Sequence, residues 1–308
     1  MAPPGLAAPT AEQISLLCSG PAGSIPDIVA RRVAEQLTGR AAVRAIVDNR
    51  PGAAGQISIN ALKAAPADGS VLLLAQGAIA TVYPYLYAKL AYDPAQDLKP
   101  VSTAGEMTLG LAVGPAVPAS VVTLADFMAW CRSNPRLANV GSPGTGTLPH
   151  LLEAMLFNLA GVGWQHVVYA GGPPAMVDLM GGQIAALVLP EGLLRQQRAA
   201  GRLRVLATSG AQRSAYLPDV PTLVEQGYAS LVVREWFGFF MGGRATPAVI
   251  ESASQALRTA LAQPALIAAF ADSGMDASPS TPAAMAARIG AEQRYWEPVI
   301  RSANIKAE

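Results

Sequence analysis

Charge is scarce in this chain. Lys, Arg, Asp and Glu make up 14% of the 308 residues, and the 22 basic residues almost cancel the 21 acidic ones, for a net charge of +1. That balance argues against nucleic acid or an anionic membrane surface as the main partner. No apolar run approaches the ~20 residues that a membrane span needs. Cys18 and Cys131 stand at no metal-ligand spacing; they could form one disulfide, and two buried thiols are the favoured reading. Histidine is limited to His150 and His166, which leaves little for a histidine-based metal site, so neither metal nor cofactor is expected. His166, in the apolar run "WQHVVY", reads as a satisfied strand residue. The phosphate loop G-x-x-x-x-G-K-[ST] and the nucleophile elbow G-x-S-x-G are both missing, and "GSPGTG" after a strand is only a weak dinucleotide signal. The opening "MAPPGLAAPT" has neither a basic n-region nor a long apolar h-region, so no signal peptide is visible; it fits a mature chain behind an added start methionine or a cytosolic protein.

What the chain does have is apolar material, 51% of its residues, enough for a large core across two ordinary domains. "ISLLCS" reads as a buried strand ended by Gly-Pro, and "IVARRVAEQLTG" as a helix with Gly39 as its stop. "AVRAIVDN" is the next strand, "RPGAAGQISINALKAA" a turn and a helix, and "SVLLLAQ" a third strand. This βαβαβ alternation predicts a parallel sheet with helices on its faces. After "LKPVSTAG" the pattern restarts. Strands at "LGLAVG", "ANVGS", "WQHVVY", "IAALVLP" and "LRVLATS" alternate with helices, the first of them capped by Thr123 through the Asp126 amide. The last third holds the strand "EWFGFFMGG" and helices that begin at proline. The passages between blocks, residues 101–104 and 232–236, are short and close, which predicts lobes hinged about paired strands.

Three glycine-rich turns stand where a strand hands over to a helix: "GPAGSIPD" (20–27), "GSPGTGTLPH" (141–150) and "YAGGPPAMVD" (169–178). A helix start leaves N–H groups unpaired and carries partial positive charge, and glycine lets a ligand approach that backbone. Three such starts around one cleft would hold an anion, most simply a carboxylate, without a buried lysine or arginine. The plain alternative is that these are ordinary turns of an α/β fold. Arg31, Arg32, Lys63, Arg195 and Arg198 read as solvated helix faces. Asp27 reads as a cap or dipole partner, and Trp130, Trp164, Trp236 and Trp296 as packing residues.

Several strings, in order over nearly the whole chain, resemble the Bug family, the extracytoplasmic solute receptors of tripartite tricarboxylate transporters. They include "PAGSIPDIVARRVAEQL", "VDNRPGAAGQISINALKAAPADG", "YAGGPPAMVDLMGGQI" and "LRVLATSGAQRSAYLPDVPTLVEQGY". The resemblance implies a two-lobe Venus-flytrap α/β fold of the type II periplasmic-binding-protein kind, each lobe a mainly parallel sheet flanked by helices. Lobe one would be residues 1–103 plus 233–308, and lobe two residues 104–232. The expected protein is a periplasmic receptor, not an enzyme, and a monomer. It would bind a small organic acid, a di- or tricarboxylate or an aromatic acid, and deliver it to membrane transporter subunits. Alternatives are a sensory binding protein that presents the acid to a membrane kinase and, more remotely, a small-molecule α/β enzyme. The implied ligand site comprises Ala22, Gly23 and Ser24 of the first turn and Gln76, Gly77 and Ala78 after the third strand. From the other lobe come Ser142, Thr145, Gly146 and Thr147, with Tyr169, Ala170 and Gly171. Here the chain departs from the family pattern: Ser24 takes the place of a second adjacent glycine, and Leu189 and Pro190 stand where an aspartate is usual. Glu191, slightly downstream, would either substitute for that aspartate or be a solvated helix-start residue.

Overall fold

The computed structural model describes residues 13–41 and 44–303. The chain opens with β1 (Gln13–Cys18), α1 (Ile25–Ala41), β2 (Arg44–Asn49), a 3-10 turn at Ala53–Gly55, α2 (Gln56–Ala64) and β3 (Val71–Gln76). β1 pairs parallel with β2 on one side and with β3 on the other, as the βαβαβ alternation requires. Leu16 and Cys18 on β1 point into one core, and α1 covers them with Val29, Ala30 and Val33. Both thiols are free and buried. Gly39 does not stop α1, which runs through it to Ala41.

Next come the single-turn helices α3 (Ala78–Thr81), α4 (Tyr83–Leu86) and α5 (Pro94–Asp97), too short to leave a periodic signal, and then β4 (Leu98–Val113). The predicted passage at 101–104 is therefore no loop. It lies inside a 16-residue strand, buried from Val101 through Gly105 and irregular at Pro100/Ser102 and Thr103/Gly105, where the pairing register shifts. These bulges let the strand bend without ending it.

The middle block follows as α6 (Leu124–Ser133), β5 (Asn139–Ser142), α7 (Leu148–Ala160), β6 (Gln165–Val168), α8 (Gly172–Met180), β7 (Ala186–Pro190), α9 (Glu191–Ala199) and β8 (Arg204–Thr208). Thr123 caps α6 as expected: its hydroxyl accepts from the Asp126 amide at 3.1 Å, and the Asp126 carboxylate accepts in return from the Thr123 amide. The chain then returns through β9 (Arg234–Gly242), α10 (Pro247–Leu261), α11 (Pro264–Asp272), β10 (Asp276–Ala277) and α12 (Pro282–Ala303). β10, a two-residue strand, was not legible as a strand in sequence.

The strand order is β2-β1-β3-β9-β4-β7-β5-β6, with β8 and β10 also paired to β4. The outer strands of each half run parallel. The central ones, β3 with β9, β9 with β4, and β4 with β7 and β8, run antiparallel. β4 exchanges partners along its length: Thr108 still faces Arg234 of β9, and Leu109 already faces Pro190 of β7. The paired strands β4 and β9 thus carry the chain from one half to the other and back. This is a mixed α/β fold of the two-lobe type II kind.

Candidate functional site

A cleft of about 810 Å³ lies between the two halves. Its walls are built from strand ends and helix starts. From the first half, the turn between β1 and α1 contributes Ser19, Pro21 and Ser24, and the turn before α2 contributes residues 51–56. Gln76 ends β3 at the same wall. From the second half, the turn before α7 contributes Pro143, Thr145 and Thr147, the turn before α8 contributes Tyr169, Ala170 and Gly171, and β7 ends there with Leu189 and Pro190. Glu235 and Phe237, alternate residues of β9, close the site from the hinge strands. No lysine or arginine is among the lining residues. Positive potential comes instead from the N-terminal ends of α1, α2, α7 and α8, all of which abut the cleft.

Many of the turn amides expected to meet a guest are engaged within the fold. The Gly23 amide donates to the Asp27 carboxylate at 3.0 Å, and the Ser24 amide and hydroxyl both donate to the Pro21 carbonyl. Asp27 also accepts from Arg31 and Asn49. Burial alone would raise the Asp27 carboxyl; the bonds from Arg31, the Gly23 amide and Asn49 outweigh it together and hold the group below the usual carboxylate range. Across the cleft, the Thr147 amide and hydroxyl donate to the Gly144 carbonyl, the Gly171 amide to Pro143, and the Gly146 amide to His150 Nδ1 at 3.1 Å. Hydroxyls can rotate towards a guest; bonded amides can do so only by opening the turn.

Behind this second wall stands an aromatic pair. The ring of His150 stacks on that of His166 at 3.9 Å, and His166 Nε2 bonds the Ser142 hydroxyl at 2.7 Å. Burial, with a smaller contribution from His166, pushes His150 down to about 4, so it stays neutral and can accept from Gly146. His150 and His166 therefore hold the loop in shape from behind.

The expected site residues divide into groups. Ser24, Gln76, Thr145, Thr147, Tyr169, Ala170 and Gly171 line the cleft. Ala22 and Gly23 are exposed and not among the lining residues, although a Cβ on Gly23 would approach Pro173 of the other half at 3.9 Å. Gly77 and Ala78 are buried beneath the wall, where a Cβ on Gly77 would lie 2.0 Å from the Trp236 ring. Ser142 and Gly146 lie behind the lining. Glu191 is a correction to both of its readings. It is neither in the cleft nor solvated: it is 2% exposed, and its Oε1 accepts from the Ser214 hydroxyl at 2.8 Å. The reason is topological, because Pro190 ends β7 and α9 turns at once towards the hinge side. Trp236 packs as expected, 0% exposed, with its Nε1–H on Glu292 and Arg288 over its ring. The basic residues read as surface groups are ion-paired or bonded to backbone and none lines the cleft.

Sequence reasoning did not assign the 51–56 turn, Tyr87 or Glu235 to the cleft. The turn carried a usable signal in "RPGAAG". Gly52 and Gly55 take φ of 119° and 98°, and between them Ala53 and Ala54 are held at φ 45° and 52°, a left-handed conformation that costs an alanine energy. Such strain persists where surrounding structure enforces it, here at the mouth of the α2 N-terminus.

The rims of the cleft touch. Tyr87 of the first half donates its hydroxyl to the Thr145 carbonyl of the second at 2.8 Å. Gly171 (φ 113°) comes so close to Pro21 that a Cβ would lie 2.6 Å from the proline ring, and a Cβ on Gly146 would meet Leu86 at 2.3 Å. The described conformation thus has its two walls in contact at the rim, where the close approach of Gly171 to Pro21 requires glycine.

Comparison with known proteins places this geometry among receptors. The family model "Tripartite tricarboxylate transporter family receptor" matches residues 29–305. Protein BugT of Bordetella pertussis is 30% identical over 309 residues, covering 98% of this chain and 94% of that one. A solved structure described as a periplasmic transporter superposes with a TM-score of 0.89 at 29% identity, covering 96% of this chain and 98% of the other. An R. palustris protein solved with adipate gives a TM-score of 0.91 at 26% identity, covering 97% and 99%.

Proposed function

The chain belongs to the receptor family of tripartite tricarboxylate transporters, and on that premise we propose that it captures a small organic carboxylate between its lobes outside the cytoplasm and hands it to the membrane subunits of such a transporter. The observation that carries this reading is the cleft itself: helix N-termini from both halves converge on it, and among the described residues no cationic side chain lines it. A carboxylate gains charge-assisted hydrogen bonds from neutral donors there, without the desolvation of a buried lysine or arginine. Such binding is releasable, as delivery demands. A related protein solved with adipate supports a carboxylate as cargo.

In this reading lobe one is residues 1–103 with 233–308 and lobe two is residues 104–232, moving about β4 and β9. Cargo that touches both walls favours the closed state over the open one, which is closure by population shift. The Tyr87 hydroxyl on Thr145 and the fit of Gly171 against Pro21 support a latch of this kind. No chemical step is assigned: the protein binds cargo unchanged and acts as a monomer.

A thermal-shift screen of the purified chain over mono-, di- and aromatic carboxylates tests the proposal. A cognate acid at about a hundred times its dissociation constant stabilises the closed form by about 2.7 kcal/mol and raises the melting temperature. A nucleotide that raises it while no carboxylate does would refute the receptor reading.

A further inference from the structure

The cleft has one wall element of opposite sign to the helix starts. Glu235 lines it from the first residues of β9, on the same face as Phe237, and is 3% exposed. Its Oε1 makes no hydrogen bond, although such an orphaned acceptor destabilises a fold. The fold has a cation to hand and turns it elsewhere: Arg234, the preceding residue, pairs with Glu106 and Asp276. Trp236, the next residue, gives its N–H to Glu292. The titratable groups facing Glu235 are Tyr83 from α4 and Glu292 from α12, the latter held by Arg288. Neither supplies positive charge. Burial, reinforced by Glu292, pushes the Glu235 carboxyl up to about 8.

We propose that Glu235 determines specificity by accepting a hydrogen bond from an ammonium group of the cargo, so that the preferred guest is an amino-substituted carboxylic acid in place of a plain dicarboxylate. The inference rests on the receptor reading above and deepens it. A zwitterion matches the polarity of the cleft, its carboxylate towards the helix N-termini and its ammonium towards β9. A second carboxylate would gain at most the O–H of the protonated Glu235 and no cation from the wall, whereas an ammonium gains an ion pair with the ionised group. Since the empty-handed carboxyl holds its proton near neutral pH, an arriving ammonium displaces that proton to solvent, and the carboxylate that remains accepts from the N–H.

The test is calorimetric titration of the whole chain with γ-aminobutyrate and δ-aminovalerate against succinate and glutarate, matched in length. Each is titrated at pH 7 in two buffers of different ionisation enthalpy, with the wild type, Glu235→Gln and Glu235→Met. The wild type should favour an amino acid over its dicarboxylate partner and release a proton on binding it. In both variants that preference should fall by about tenfold or more and the proton release should vanish. Cooperative thermal unfolding of the unliganded variants shows that they fold. A wild type that binds the dicarboxylates at least as tightly, or a preference that survives both substitutions, overturns the assignment of Glu235 and leaves the receptor standing. If no acid of either kind binds, the receptor reading falls and this inference falls with it.

Discussion

Glu153 offers a quantitative test of how this fold tolerates a buried acid away from its site. It sits on α7, the helix that packs on β7, and is 0% exposed with both carboxylate oxygens unpartnered. Burial raises its proton affinity well above the ordinary glutamate value of 4.5; the nearby Val188 amide opposes that rise only in part and is not aligned as a hydrogen bond. The folded protein therefore holds the Glu153 proton to higher pH than the unfolded chain does. Above 4.5 stability falls by at most about 1.4 kcal/mol per pH unit until the folded group itself ionises. The sign follows: the folded state binds more protons, so this residue erodes stability as pH rises above 4.5. Glu153→Met keeps chain length and helix propensity and removes the titration. The variant should gain on wild type by up to about 1.4 kcal/mol for each pH unit above 4.5, in urea unfolding followed by tryptophan fluorescence. Near pH 4 the pH-dependent part of the gain should vanish, because the wild-type group is then mostly protonated in both states. A gain that is absent, or equal at both pH values, would refute the reasoning.

Two further outcomes follow from the site. Tyr87→Phe removes the hydroxyl that bridges the rims and should weaken cargo binding by about 0.5–1.5 kcal/mol, seen by calorimetry mainly as faster dissociation; an unchanged affinity would mean that the rim contact does not contribute to closure. His150 sits at about 4 in the fold against 6.5 unfolded, so its contribution is present above pH 6.5 and is lost as pH falls towards 4, at no more than about 1.4 kcal/mol per pH unit. Urea unfolding of wild type and His150→Leu across that window should show a flatter pH dependence in the variant; parallel curves would assign the acid sensitivity to other groups.

Local patterns carried most of the fold. Runs such as "SVLLLAQ" and "IAALVLP" are short, apolar and bounded by turn residues, and proline at helix starts marked α7, α8, α10 and α11. The first half of β4 escaped because its bulges and its proline at position 100 look like a linker until β9 is seen pairing with them, whereas its second half was legible as "LGLAVG". Gly39 misled for the opposite reason: a glycine near the end of a periodic run is a frequent stop, and here the helix continues past it. In the site, the glycine turns were legible because their positive φ demands glycine. That their amides are committed to Asp27, Pro21, Gly144 and His150 was not, since hydrogen-bond partners depend on how the turns fold.

Composition and pattern by themselves determined that this chain is a core-rich α/β protein with strand-to-helix turns fit to face an anion, because periodicity and glycine placement are local properties. Only the tertiary structure decided which acid faces the cleft. The sequence drew attention to Glu191 and not to Glu235, yet the turn after Pro190 buries the first against Ser214, and β9 places the second in the cleft wall.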